Sequence, residues 1–440
     1  MEKPNELIDR LDRRIWPVTG SWTVSVFALS IMWPFLALYL RDERGLTTTQ
    51  AGIVPLLLGL AHMLAAPIGG ALTDRLGRRP LMLAGPLLRS AVFVVLAVMA
   101  ARVAPVGWMV LFLAASTAIG ETFSNASQSY ITDITPSALR PAAFSRLRVG
   151  QNLGWMIGPA VGAYLAHSPF WLLFGATAVV LLLPPMVSYR FCPETLPREQ
   201  RRPLAWQPGK WRANLGLLVE DRTLPALLAG GVCLWLLSSQ LVFTLSVYAK
   251  AVVHVESAHV GHLYVINGGL VILLQIPVNW LLRRWNLALR TAAGAVLYAI
   301  GYFSMAYAQR FEHLAISMVV VTCGEMLTEP AIIAAVSRLA RPGRIGSYMG
   351  IYGLARSMAY SVGPFIGGIL FDHLHTRPPM MWGILAVAAV GSSVAFVAMR
   401  RFPTVQGLSG REAHTVKTAD TKTTKITKDT KGEETKALKQ

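Results

Sequence analysis

Charged side chains are scarce in this sequence: they make up 15% of its 440 residues, against 53% hydrophobic ones. Ordinary soluble domains carry about 25% charged residues, so the composition excludes a soluble globular chain. Cysteine is scarce as well. Cys192, Cys233 and Cys323 show no paired spacing, which excludes a disulfide framework and a zinc site. No Gly-rich loop ending in Lys and Ser/Thr is present, so nothing points to ATP as an energy source. No Ser-His dyad or metal-ligand pattern argues for an intramembrane enzyme. Residues 1–14 read as a polar segment, and no cleavable leader is expected, because the first apolar run is too long to be one.

Long apolar runs are what is present. A helix needs about 20 apolar residues to cross a bilayer, and twelve such runs occur: roughly 16–40, 50–72, 80–101, 107–131, 142–166, 169–191, 223–249, 258–282, 290–308, 313–337, 346–371 and 379–400. The fold class is therefore an all-α membrane protein of twelve transmembrane helices in two pseudo-symmetric six-helix bundles. Residues 1–15 form an N-terminal segment, 16–191 the first bundle, 192–222 a central loop, 223–400 the second bundle, and 401–440 a disordered basic tail. Trp206 and Trp211 in the central loop suit a short amphipathic piece on the membrane surface.

The net charge of +18 looks like a nucleic-acid signal until the charges are placed. With the N-terminus inside, the inner loops and N-terminal segment hold about 22 Lys and Arg, the outer loops about 6 and the tail about 10. That bias predicts both termini in the cytoplasm, and it excludes nucleic acid as a partner because the basic residues form no single stripe.

The two halves repeat. Gly158-Pro159-Ala160-Val161-Gly162 returns about 205 residues later as Gly363-Pro364-Phe365-Ile366-Gly367, Gly120-Glu121 returns as Gly324-Glu325, and Asp74 falls opposite Asn279. Matched apolar halves read as a transporter with a central site between them.

The loop between the second and third runs reads Gly69-Gly70-Ala71-Leu72-Thr73-Asp74-Arg75-Leu76-Gly77-Arg78-Arg79-Pro80. This resembles the signature of the major facilitator superfamily at that position. The resemblance covers residues 16–400 and implies that superfamily's fold and its alternating access. It assigns Gly70, Asp74, Arg75, Gly77, Arg78 and Arg79 to a latch, with Asp74 facing the start of the eleventh helix at Gly346 and Ser347. Asp133 and Arg140 are expected to join it. In the fifth run, Gly150, Gly154, Gly158, Pro159 and Gly162 place small residues at every fourth position, a face for close helix packing. The set is similar to the fifth-helix motif of drug–proton antiporters. Gly346 to Gly350 and Leu370-Phe371-Asp372 resemble multidrug-resistance proteins of the MdtH type.

Of 23 acidic residues only Glu121, Glu325 and Glu329 lie well inside the runs. A charge left there alone costs about 2.5–3.5 kcal/mol or more, so each is expected to face a cavity, pair with a cation or carry a proton. The buried cations are Arg89, Arg148 and Arg356. The repeat makes Glu121 and Glu325 symmetry mates. Arg356 lies at the depth of Glu325, and the two are expected to pair. The position matching Arg356 in the first half is the neutral Gln151. Glu121 thus lacks the matching partner, with Arg148 one turn off, and is the expected coupling acid; Glu329 is a second candidate. His62 reads as hydrogen-bonded packing. The superfamily's proton-coupling motif would put an Arg at Ser116, four residues before Gly120, but none occurs in that run. Either the acids carry the proton alone or Arg89 substitutes.

Trp22, Phe27, Trp33, Asn125, Gln128, Gln151, Trp235, Gln240 and Phe243 are the expected cavity wall, a mixture suited to amphipathic ligands. The sequence-level reading is proton-coupled efflux of a small amphipathic compound by a monomer in a prokaryotic inner membrane. Its partners are substrate, protons and the lipid bilayer, and a proton gradient stands in place of a cofactor. Nutrient uptake or symport is the alternative, and a lipid-handling or other non-transport role belongs to another class.

Overall fold

The computed structural model describes residues 12–136, 139–165, 168–201, 216–221, 223–282, 284–340 and 344–399. Trp206, Trp211 and the tail from 401 lie outside them. The first bundle holds α1 (Ile15–Leu38), α2 (Thr48–Leu76), α3 (Arg78–Ala101), α4 (Val106–Ile134), α5 (Arg140–Leu165) and a divided α6 (Trp171–Val180 and Leu183–Phe191). The second holds a divided α7 (Thr223–Val242 and Thr244–Ala251), α8 (Ser257–Leu281), α9 (Leu287–Met305), α10 (Phe311–Leu339), α11 (Ile345–Leu374) and α12 (Pro378–Met399).

Local chemistry fixes the ends. Thr47 opens α2 with a capping box: its hydroxyl accepts from the Gln50 amide at 3.2 Å and the Gln50 side chain accepts from the Thr47 amide at 3.0 Å. Gly77 closes α2 with φ at +101°, a conformation that suits glycine. Pro184 and Pro185 each lack an amide donor, and α6 breaks just before them. A π-helical turn, Tyr39–Glu43, ends α1.

Eleven of the twelve helices are apolar and long enough to cross a bilayer by composition alone. The twelfth, α5, carries Arg146, Arg148, Gln151 and Asn152. It affords this polarity because protein covers two of its sides: it packs on α1 and on α8.

The sequence repeat is a packing repeat. The pairs α1–α5, α2–α4, α3–α4 and α3–α6 return as α7–α11, α8–α10, α9–α10 and α9–α12. Between the bundles, α2 packs on α11 and α5 on α8. The glycine stripe of α5 meets α1 inside its own bundle. A Cβ on Gly154 would stand 2.8 Å from the Phe27 amide nitrogen, and one on Gly158 would stand 2.9 Å from the Phe27 carbonyl. Ser30 Oγ donates to the Gly154 carbonyl at 2.8 Å across the same seam. In the second bundle, Gln240 Nε2 donates to the Gly363 carbonyl at 2.8 Å.

Two predictions follow from this packing. Gly158→Leu should destabilise the protein by about 1–3 kcal/mol through overpacking. Gly175→Leu should cost little, because nothing lies within 4 Å of that site. Thermal unfolding in detergent compares them. The Cys192 thiol, just beyond α6, is 1% exposed and packs beside Ile15 and Tyr130. Burial pushes it up to about 11, against the pull of Arg79 and Arg14. With the other cysteines replaced, its alkylation should be very slow at pH 7 and should accelerate as pH rises towards that value. Fast labelling at pH 7 would contradict this environment.

Candidate transport site

A cavity of about 440 Å³ lies between the bundles, with both contributing walls. Of the expected wall residues, Trp33, Gln151 and Phe243 line it. The other six are placed elsewhere. Trp22 stacks on Phe123 at 6.2 Å, and Trp235 is buried edge-on to Tyr352 at 5.1 Å. Phe27 sits in the α1–α5 seam. Gln240 ties α7 to α11, Asn125 ties α4 to the Ala66 carbonyl of α2, and Gln128 is exposed beside Ser124. Composition marks polar and aromatic residues, but the rotation of each helix about its axis decides which of them face inward.

The acids find different partners from those expected. His62 on α2, which lines the cavity, places Nδ1 3.0 Å from Glu121 Oε1 on α4. The Glu121 side chain is 16% exposed. Arg148 is not its partner: Arg148 Nη2 lies 4.0 Å from Glu329 Oε2, across the bundle interface. The expected Glu325–Arg356 pair is also replaced. Arg356 Nε lies 3.8 Å from the Glu329 carboxylate, one turn along α10. Glu325 instead accepts from Asn267 Nδ2 of α8 at 3.0 Å, and the same amide reaches Thr322 Oγ1 at 2.9 Å. The sequence does not show which residue on a neighbouring helix stands beside each acid, because nothing in the runs marks His62 or Asn267 as facing one.

Arg89 supplies a guanidinium where the fourth run has none. Its Nε donates to Ser116 Oγ at 3.3 Å, and a Cβ on Gly120 would stand 2.7 Å from its Cζ. The side chain is buried and lies within the field of Glu121. A cation from α3 thus occupies the place beside Ser116 and Gly120.

The α2–α3 loop is organised by Arg78. Its buried guanidinium donates to Asp133 Oδ2 at 2.9 Å and to the Thr73 carbonyl at 3.0 Å, and reaches Asp74 Oδ1 at 3.4 Å. Asp133 therefore joins the network. Arg140 does not: it donates to the Thr132 and Thr135 carbonyls and so covers the end of α4. Arg79 stacks over Tyr189 at 5.3 Å, and Arg75 is exposed. Glu194, a residue not singled out in the sequence, accepts from the Arg78 and Arg79 amides at 3.0 and 3.2 Å. A carboxylate at the start of α3 is favoured by the helix dipole. In the second half, Arg290 bonds Asn279.

At the opposite end the bundles are clasped. Lys250 Nζ pairs with Asp42 at 2.7 Å, and Arg41 lies over Phe371 at 5.0 Å. Asp372 of α11 accepts from the Thr48 and Thr49 amides of α2 at 3.1 and 2.8 Å. A Cβ on Gly52 would stand 2.8 Å from Phe365 Cα. At the loop end, by contrast, Gly70 of α2 and Gly350 and Gly353 of α11 face open space, and the Asp74 side chain is half exposed.

Comparison with known proteins adds the family. A profile described as Major Facilitator Superfamily matches residues 20–364. An uncharacterized MFS-type transporter, YttB of Bacillus subtilis, is 27% identical over 80% of this chain and 87% of its own length. Multidrug resistance protein MdtH of Cronobacter sakazakii is 26% identical over 83% of this chain and 89% of its own. A peptide transporter POT variant in complex with alafosfalin superposes with a TM-score of 0.71 at 18% identity, covering 90% of this chain and 95% of that one. A nucleoside transporter NupG variant gives a TM-score of 0.71 at 14% identity, covering 88% and 100%.

Proposed function

The chain belongs to the Major Facilitator Superfamily, and we propose that it is a proton-coupled exporter of small amphipathic compounds that works by alternating access. The bias of Lys and Arg supports a cytoplasmic α2–α3 loop and cytoplasmic termini, and the likeness to bacterial multidrug resistance proteins supports a prokaryotic inner membrane. On that assignment the clasped end faces outward, and this structure is the inward-facing state.

The observation that carries the reading is the His62–Glu121 contact of 3.0 Å at the cavity edge. A carboxylate there is held by one imidazole and the field of a buried guanidinium. Taking up a proton removes its charge and weakens its hold on His62. That contact ties α2 to α4, and α2 is also the helix that meets α11 across the interface. Protonation at Glu121 therefore acts on the helix that must move. Arg89 on α3 keeps a guanidinium within the field of the acid.

Substrate binds between Trp33 and Phe243 on the apolar side and Gln151 and Asn267 on the polar side. Closing the loop end over it brings α2 and α11 together where Gly70, Gly350 and Gly353 leave room. The export direction is supported by the multidrug-resistance name of the relatives and by the α5 stripe.

Reconstituted protein and an amphipathic dye such as ethidium test this. Glu121→Gln should lower proton-driven transport by about 10-fold or more while dye exchange without a gradient persists. Unchanged proton-driven transport would remove the assignment. Arg89→Met tests the cation. Removing one member of a buried charge pair destabilises by up to several kcal/mol, so its unfolding temperature should fall, and the role is read from transport instead: dye exchange without a gradient should persist while proton-driven transport is lost. Retained coupling in that variant would take Arg89 out of the mechanism.

A further inference from the structure

We propose that Asp372 is the residue that holds the outward-facing mouth shut. Its carboxylate sits on α11 in one bundle and caps the first turn of α2 in the other, and outward opening requires those bonds to break. The proposal rests on the alternating-access reading given above.

The first amides of any helix lack partners within it. In α2 the Thr47 hydroxyl takes only the Gln50 amide. The Thr48 and Thr49 amides go to Asp372 Oδ1 and Oδ2. Charge-assisted bonds of this kind are stronger than neutral ones, and an anion at a helix N-terminus is further favoured by the dipole. Because donors and acceptor belong to different bundles, the contact adds nothing to the fold of either bundle alone. It contributes only while the two are together at this end.

The backbone is shaped for the contact. Gly368 lies one turn before Asp372, and a Cβ there would stand 2.5 Å from the Thr48 carbonyl oxygen and 2.7 Å from Thr49 Cα. A larger residue would hold α11 away and put the amides out of reach. The neighbouring contacts, Arg41 over Phe371 and Lys250 with Asp42, close the same mouth. Those ions stay water-exposed by a third or so, where pairs contribute little.

At the other end of α2 stands a second carboxylate, Asp74, half exposed in this state and near the unfilled surface of Gly70. The antiparallel α2–α11 pair thus carries one carboxylate at each end, bonded across the bundles outside and reached only by Arg78 of its own bundle inside. When the mouth opens, water takes over the Thr48 and Thr49 amides. The clasp is then strong enough to bias the state and weak enough to release.

Asp372→Ala and Asp372→Asn in full-length protein test the proposal, the second keeping one acceptor in an isosteric side chain. Native cysteines are replaced. Spin labels at Arg102 and Gln309 report the spacing of the outer loops. A cysteine at Leu58, in the cavity wall, reports access of a membrane-impermeant maleimide from outside. Asp372→Ala should add a longer outer distance and raise external labelling about 10-fold, equivalent to ~1.4 kcal/mol. Asp372→Asn should fall between it and the parent, and decides the question alone if the alanine variant does not fold. Lowered thermal stability with unchanged distances and labelling would mark a structural role and overturn the proposal, as would no change at all. Proton-driven dye export is measured on the same variants. A shift of state without any export keeps the clasp and removes the export reading. Export with unshifted states does the reverse.

Discussion

A carboxylate inside a bilayer-spanning bundle has to be held by something, and this constraint shapes the whole molecule. Left alone, each would cost several kcal/mol, which is comparable with the net stability of a folded domain. Here every one of the three is met by a group on another helix: Glu121 by His62, Glu325 by Asn267 and Glu329 by Arg356 and Arg148. None of these partners lies on the acid's own helix. The polar contacts therefore join helices as well as satisfying charge. On the proposed coupling, a proton arriving at one of them would change how two helices are joined.

The helices that move are built to be joined and parted at low cost. Within each bundle, glycines set backbone against backbone, as along α1–α5, and the seam is sealed by hydroxyl and amide bonds to carbonyls. Between bundles the outer contact combines two amides of α2 on the Asp372 carboxylate with the Lys250–Asp42 pair and Arg41 over Phe371. Apolar packing inside a membrane gains little over packing against lipid. The balance between states is thus left to a few polar contacts and to the fit of small residues, both easily tipped by a ligand or a proton.

Much of this was legible in the sequence. Twelve apolar runs, the repeated Gly-Pro pair and the signature loop gave the spans, the pseudo-symmetry and the family, and the contact pattern repeats as the sequence does. Arg78 of the signature bonds Asp133, the residue expected to join it, though both belong to the first bundle. Lateral geometry was not legible. The sequence could set Glu325 and Arg356 at one depth, but it could not show that Asn267 of α8 stands closer. Six of nine expected wall residues turned out to pack within or beside the bundles, since a tryptophan or glutamine has the same letter whether it faces a cavity or a neighbouring helix. His62 reads as hydrogen-bonded packing, and the structure supplies its partner, Glu121, whereas Glu194 carries no signal in the sequence because the amides it accepts from lie far away along the chain. Arg89 had a visible signal, the missing arginine beside Gly120, and the structure places its guanidinium at that spot.

The central claim is that Glu121 gains and loses a proton as the transporter works. Infrared difference spectra of the reconstituted protein between acid and neutral pH test it most directly. The account predicts a protonated-carboxyl band that appears on acidification, is altered by His62→Gln, and is missing in Glu121→Gln. The same band persisting undiminished in Glu121→Gln would contradict it.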